Sequence, residues 1–224
     1  MSEKKQILCY GDSNTWGTIG RWLKSDEPSE RFDEFTRWPC VVQRELGENY
    51  HIIEEGLGGR TTIYPPVNEA WKNGEPYLTP CLLSHRPLDL VIIMLGTNDL
   101  HVKMDLDKDA LKTGITRLID IAQSLPKAGR GAKIPKVLII APIEVRPSAP
   151  EGRTEVYPKF RGEIGRDLSL SFPHIYEQIA HDKGCYFLNA QLYAQPCPAD
   201  GVHMDKESHI RLGKAVANFI KEEL

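Results

Sequence analysis

Five short apolar runs punctuate the chain, at Ile7–Tyr10, His51–Glu54, Leu90–Leu95, Val137–Ala141 and Cys185–Leu188, with helix-like segments between them. That alternation predicts a mostly parallel sheet covered by helices on both faces, a three-layer α/β/α arrangement. Leu90-Val91-Ile92-Ile93-Met94-Leu95 carries no polar residue, as a strand buried on both sides requires, so it is expected near the centre of the sheet. Apolar residues at helical spacing predict helices over Thr36–Leu46, Lys108–Leu125 and Asp205–Leu224. Pro39 falls near the start of the first of these, where a missing N–H costs little. Phe160–Gly184 also has a helical pattern, but it contains Pro173, which predicts a break or kink near Phe172. Three segments, Thr18–Phe35, Thr62–Pro80 and Pro142–Pro158, are too long and polar for plain connections and read as lids, interface elements or disorder.

Composition narrows the classes available. A chain of 224 residues suits one domain spanning 1–224. The formal charge of −3, with Lys and Arg scattered, gives no footprint for nucleic acid. No stretch approaches the ~18 apolar residues of a membrane span, and Met1-Ser2-Glu3-Lys4-Lys5 leads into a short strand instead of a signal-peptide core, so a cytoplasmic protein without a membrane partner is expected. The 5 cysteines are odd in number and form no C-x-x-C pair, which argues against a disulfide framework and a zinc site. Cys9 and Cys185 fall in predicted strands and read as small apolar core residues.

The candidate chemistry sits at the ends of the predicted strands, where an open α/β sheet presents its ligands. Tyr10-Gly11-Asp12-Ser13-Asn14-Thr15-Trp16-Gly17 follows the first run and places Ser13 at a strand tip. A serine hydroxyl is a weak nucleophile until a base takes its proton, and Asp200-Gly201-Val202-His203, just before the last helix, supplies an imidazole with a carboxylate to orient it. Gly201 relieves backbone strain in that turn. Acyl transfer also needs donors for a tetrahedral oxyanion; the Ser13 and Gly59 N–H groups and the Asn98 amide are the candidates. Each piece has a plainer reading: Gly11-Asp12-Ser13 as an Asx-turn, Asp200–His203 as a turn into a helix capped by Asp205, Gly56–Gly59 as a flexible turn, Asn98 as a helix cap. Trp16 is either core or a pocket wall, and Arg60 either borders the pocket or pairs with a surface carboxylate; with Asp12 they are the candidate substrate-pocket residues.

Other motifs fail. Asp105, Asp107 and Asp109 mimic a calcium loop, but Ala110 replaces its glycine and Thr116 its glutamate, leaving a solvated helix start. Gly56–Thr61 lacks the third glycine of a dinucleotide fingerprint and runs into Pro65-Pro66. His209 is off the i, i+4 metal spacing from His203 and is expected to be exposed. No metal or cofactor is expected.

Taken together, the blocks Gly11–Gly17, Glu54–Thr62, Pro87–Asp99 and Asp200–His203 resemble those of the SGNH, or GDSL-type, hydrolases, from Ile7 to about Gly213, with the greatest likeness to the mycobacterial arylesterase/acyltransferase group. The resemblance implies a flavodoxin-like fold with a five-stranded parallel sheet, Ser13 as nucleophile, His203 as base, Asp200 as its orienter, and Ser13 N–H, Gly59 N–H and Asn98 as oxyanion donors. It implies an esterase for small carboxylic esters, with water or an alcohol as acyl acceptor, assembled as a homo-oligomer. A carbohydrate-ester deacetylase or thioesterase is the alternative within the family; outside it stands a flavodoxin-like binding module, which has no need of Asp200 with His203. Asn14 stands where the motif's name has leucine, and Glu54-Glu55 where many members carry asparagine.

Overall fold

The computed structural model describes residues 3–22 and 30–224. Strands β1 (Lys5–Gly11), β2 (Tyr50–Gly56), β3 (Leu90–Met94), β4 (Lys136–Ala141) and β5 (Tyr186–Asn189) form a parallel sheet in the order β2-β1-β3-β4-β5. Side chains alternate strictly along β1: Ile7 and Cys9 pack with α2 (Trp38–Leu46) and α7 (Lys206–Glu223), while Leu8 and Tyr10 pack with α3 (Gly74–Ser84), α4 (Lys108–Gln123) and α6 (Glu163–Lys183). That period-2 pattern divides the apolar core into two layers. β3 is buried at all five positions. Two short helices, α1 (Ser13–Trp16) and α5 (Val156–Lys159), complete the set.

The chain leaves β1 for β2 on one side and then for β3, β4 and β5 on the other. A crevice therefore opens between the C-terminal ends of β1 and β3, the switch point where α/β sheets bind ligands. β1 delivers Ser13 to that crevice and β3 delivers the 3₁₀ turn Thr97–Leu100, which holds Asn98.

Three expectations need correction. The helix over Glu163–Lys183 runs on through Pro173. Pro173 has no N–H to give the Ser169 carbonyl, and Gln191 Nε2 supplies the missing donor at 2.9 Å, so the helix continues without a stranded acceptor. The segment 62–80 is not irregular throughout, because α3 begins at Gly74, capped by Asn73 Oδ1 accepting from the Glu75 N–H, and carries Pro80 inside it. His209 is fully buried, against the exposure expected of it. The stretch 142–158 contains the start of α5, and of 18–35, residues 23–29 lie outside the described residues. Among the described residues, no helix is long and apolar enough to cross a membrane.

Candidate active site

Ser13 opens α1 directly after β1, and Asp12 shapes the turn by accepting the Asn14 N–H at 2.9 Å. α1 lies so near β2 that a Cβ on Gly56 would come within 2.2 Å of the Trp16 nitrogen, which explains the glycine there. The second half of the site arrives from the far end of the chain. Gly201 holds φ +75°, and a Cβ on it would meet the Arg146 carbonyl at 1.9 Å, so only glycine lets this turn close. Asp205 then caps α7 by accepting the Ser208 N–H at 2.7 Å, the cap expected from sequence.

The two ends meet. His203 Nε2 is 3.1 Å from Ser13 Oγ, and His203 Nδ1 is 2.7 Å from Asp200 Oδ2. The other Asp200 oxygen accepts the N–H groups of Val202 and His203, each at 3.0 Å. Burial would push the Asp200 carboxyl up, but its bond to His203, the His203 charge and these two N–H groups outweigh burial and hold it below the usual carboxylate range. An anionic Asp200 fixes the imidazole with Nδ1 protonated and Nε2 open to accept from the serine.

Around Ser13 lie donors with nothing to donate to. Among the described residues the N–H groups of Ser13 and Gly59 have no protein acceptor. Gly59 adopts φ +78°, which a side chain rarely tolerates. Asn98 Nδ2 gives one hydrogen to the Arg60 carbonyl at 3.0 Å, which orients the amide, and its other contact, Asp12 Oδ2, is long at 3.4 Å. Two buried carboxylic acids sit behind this apparatus. Burial raises Asp12 to about 6 and Asp99 to about 7, the latter despite hydrogen bonds from the Thr62 hydroxyl and N–H.

The pocket candidates separate. Trp16 lines a recess of about 300 Å³ beside His203, together with Thr18, Ile19, Arg21, Glu30 and Arg153. A second recess of about 210 Å³ opens past Gly59 and Asn98, against Pro66, Val67, Lys72 and Met104. Arg60 borders neither. It is buried, donates to the carbonyls of Gly11 and Glu55, and lies 4.1 Å over the Tyr10 ring, so among the described residues it pairs with no surface carboxylate and ties the Gly59 turn to the β1 and β2 ends. Asp12 is likewise buried and borders neither recess. The polar residues Arg21 and Arg153 carried no recognisable motif, because each comes from a long segment that only the fold brings to His203.

Among the described residues, the cluster suited to a metal lies apart from this constellation. Glu55, Cys81 and His85 bring donor atoms within 4.8 Å of one another, but His85 Nε2 and Glu55 Oε1 already satisfy each other at 2.8 Å, and the Arg60 cation acts on the same thiol. The departures noted in the sequence also find their partners. Glu54 pairs with Arg37 at 2.8 Å, and Asn14 bonds to the His203 turn.

A serine with an oriented imidazole and spare N–H donors at an α/β switch point defines a class of ester-cleaving hydrolases, and the comparisons agree. Residues 9–209 match the model of the GDSL-like lipase/acylhydrolase family, so the chain belongs to that family and is a carboxylic ester hydrolase. Among solved structures it is similar to Est24, a carbohydrate acetylesterase from Sinorhizobium meliloti, with 36% identity, TM-score 0.89, and 99% of this chain and 100% of that chain covered. It is also similar to the aryl esterase of M. smegmatis, with 33% identity, TM-score 0.88 and coverage of 98% and 100%. A putative arylesterase from Agrobacterium tumefaciens str. C58 has 33% identity and TM-score 0.83, with coverage of 98% and 100%. No curated protein sequence matches the chain.

Proposed function

We propose that the protein is a serine esterase that forms an acyl-enzyme at Ser13. The observation that carries this reading is the hydrogen-bonded line Ser13–His203–Asp200 beside two unspent N–H groups. Ser13 Oγ attacks the ester carbonyl as His203 Nε2 takes its proton. The oxyanion forms against Ser13 N–H, Gly59 N–H and the Asn98 amide. His203 returns the proton to the leaving oxygen, and water or an alcohol then enters by the same route in reverse to release the acyl group.

The leaving group departs toward the base, so the recess lined by His203 receives the alcohol and the smaller one past Gly59 and Asn98 receives the acyl chain. About 210 Å³ suits short acyl groups. On the alcohol side Trp16, with the Arg31 guanidinium over its ring, stands beside the Arg21–Glu30 pair and Arg153, a polar lining that favours a sugar ester as the second reading beside aryl esters. The likeness to a carbohydrate acetylesterase points the same way.

The test is labelling followed by a substrate panel. A fluorophosphonate adds once, to Ser13, and Ser13→Ala abolishes both labelling and turnover; a fully active alanine variant overturns the mechanism. Acetylated sugars and aryl acetates, each with acetyl to octanoyl counterparts, then separate the two readings, and added alcohol measures transfer against hydrolysis. We further propose a cytoplasmic homo-oligomer, joined through loops that leave Phe35, Val67 and Trp71 exposed; light scattering that finds a monomer refutes the assembly.

A further inference from the structure

Asn14, the residue next to the proposed nucleophile, reaches across the crevice to the turn that carries the base. Its side chain is an amide with one carbonyl acceptor and two donors, and it uses both ends. Asn14 Oδ1 accepts the Met204 N–H at 2.9 Å, and Asn14 Nδ2 donates to the Val202 carbonyl at 3.3 Å. Those two backbone groups flank His203 on either side. Asn14 is almost fully buried, so neither bond is exchanged with solvent, and it borders neither recess of the site.

We infer that Asn14 is a positioning residue that sets where His203 stands relative to Ser13. Asp200 controls the ring's orientation through Nδ1, and the Asp200 bonds to the Val202 and His203 N–H groups shape the turn internally. These contacts all lie within the turn. The turn is also held from behind, by the Cys197 N–H donating to the His203 carbonyl at 2.7 Å and the Arg146 N–H donating to the Gly201 carbonyl at 3.0 Å, but neither contact reaches α1. The bidentate grip of Asn14 instead ties the turn to α1, the element that bears the nucleophile, and spans 190 residues of sequence from Asn14 to Met204. A leucine here, the residue of the motif's name, offers the turn no hydrogen bond and strands a buried N–H and a buried carbonyl. The grip therefore substitutes polar registration for apolar packing at this position.

The inference rests on the reading of Ser13 and His203 as nucleophile and base, and the experiment separates the two. Turnover is measured per fluorophosphonate-titrated site, so that unfolded molecules are not counted, with a 4-nitrophenyl ester and an alkyl ester of the same acid. Nitrophenolate leaves without a proton, whereas an alkoxide must receive one from His203, so a displaced imidazole penalises the alkyl ester more. Asn14→Leu is expected to lower kcat/KM for the alkyl ester at least about tenfold more than for the aryl ester, since misplacement of catalytic groups on the scale of an ångström costs on the order of 10². Asn14→Ser, whose hydroxyl is shorter than the amide but leaves room for a water to bridge to the two backbone groups, is expected to fall between Asn14→Leu and the parent chain. An unchanged alkyl-to-aryl ratio in both variants overturns the inference while leaving the mechanism intact. So does failure of both to fold, because Asn14 would then be holding the fold and not the imidazole. An active Ser13→Ala or His203→Ala chain would instead overturn the underlying reading.

Discussion

His203 and His209 stand a short distance apart on the same segment, one in the turn before α7 and one in its first turns, yet they have opposite surroundings. His203 has a carboxylate on one ring nitrogen and a hydroxyl on the other. His209 is fully buried against the edge of Phe32, with Nδ1 accepting the Trp38 N–H at 3.4 Å and Nε2 unpartnered among the described residues. That N–H belongs to the first residue of α2, one of the orphan donors of a helix start. Burial first, and the nearby His203 charge second, push His209 down to about 3, so it serves as a neutral acceptor. The difference teaches that an imidazole becomes a proton carrier through its partners. Burial alone makes it a filler.

The largest expected effect breaks the comparison on the His203 side. His203→Ala lowers kcat by at least about 10⁴-fold and Asp200→Asn by up to about as much, whereas His209→Gln leaves kcat within about tenfold of the parent. Steady-state kinetics on the three variants check this, and equal losses at both histidines would contradict it. Asn98→Ala should follow, with kcat reduced on the order of 10²–10³ and little change in KM, because the oxyanion appears only in the transition state and intermediate. A change confined to KM would place Asn98 in ground-state binding.

The smallest effect sharpens the comparison on the His209 side and is read in stability. Between about pH 3 and the ordinary histidine value of 6.5, the unfolded chain holds the proton that folded His209 refuses. Stability from this group is thus present above 6.5 and lost as pH falls toward about 3. Asp12 and Asp99 run the other way: their folded values of about 6 and 7 lie above the ordinary 3.8, so their contribution is lost as pH rises through that window. Subtracting the denaturation free energy of His209→Gln from that of the parent cancels the aspartates. The difference should grow in the parent's favour by more than about 1 kcal/mol as pH rises from about 4 to about 7. A flat difference would mean that His209 titrates normally.

Much of this was legible because it follows from local chemistry. The five apolar runs became the five strands, extended by a residue or more at most of their ends, since a strand's edge residues are set by its neighbours' pairing. The four polar blocks converge because parallel strands share one C-terminal edge. The errors share a cause as well. Pro173 and Pro80 argue against helices locally, and the fold overrules them, at Pro173 through a side-chain donor from Gln191, distant in sequence. The burial of His209 depends on α2 docking against α7, where Gly213 admits the Trp38 carbonyl and Val41 at close range, a contact that no pattern within α7 announces. Asn14 registered only as a deviation from a motif, since its partners lie across the crevice.

Ser13 and His203, the proposed nucleophile and base, are separated by 190 residues. A ribosome therefore makes the proposed nucleophile early and its proposed base late, after all five strands and the whole of α6. Under the proposed mechanism, Ser13 is an ordinary alcohol until the final turn is threaded into place. Stalled or clipped chains ending before Asp200 carry the signature motif and, on that mechanism, are expected neither to consume esters nor to trap suicide inhibitors. Labelling by such an inhibitor is then expected to count finished, folded molecules, and during a pulse of synthesis to lag the appearance of the polypeptide by the time needed to make and dock α7.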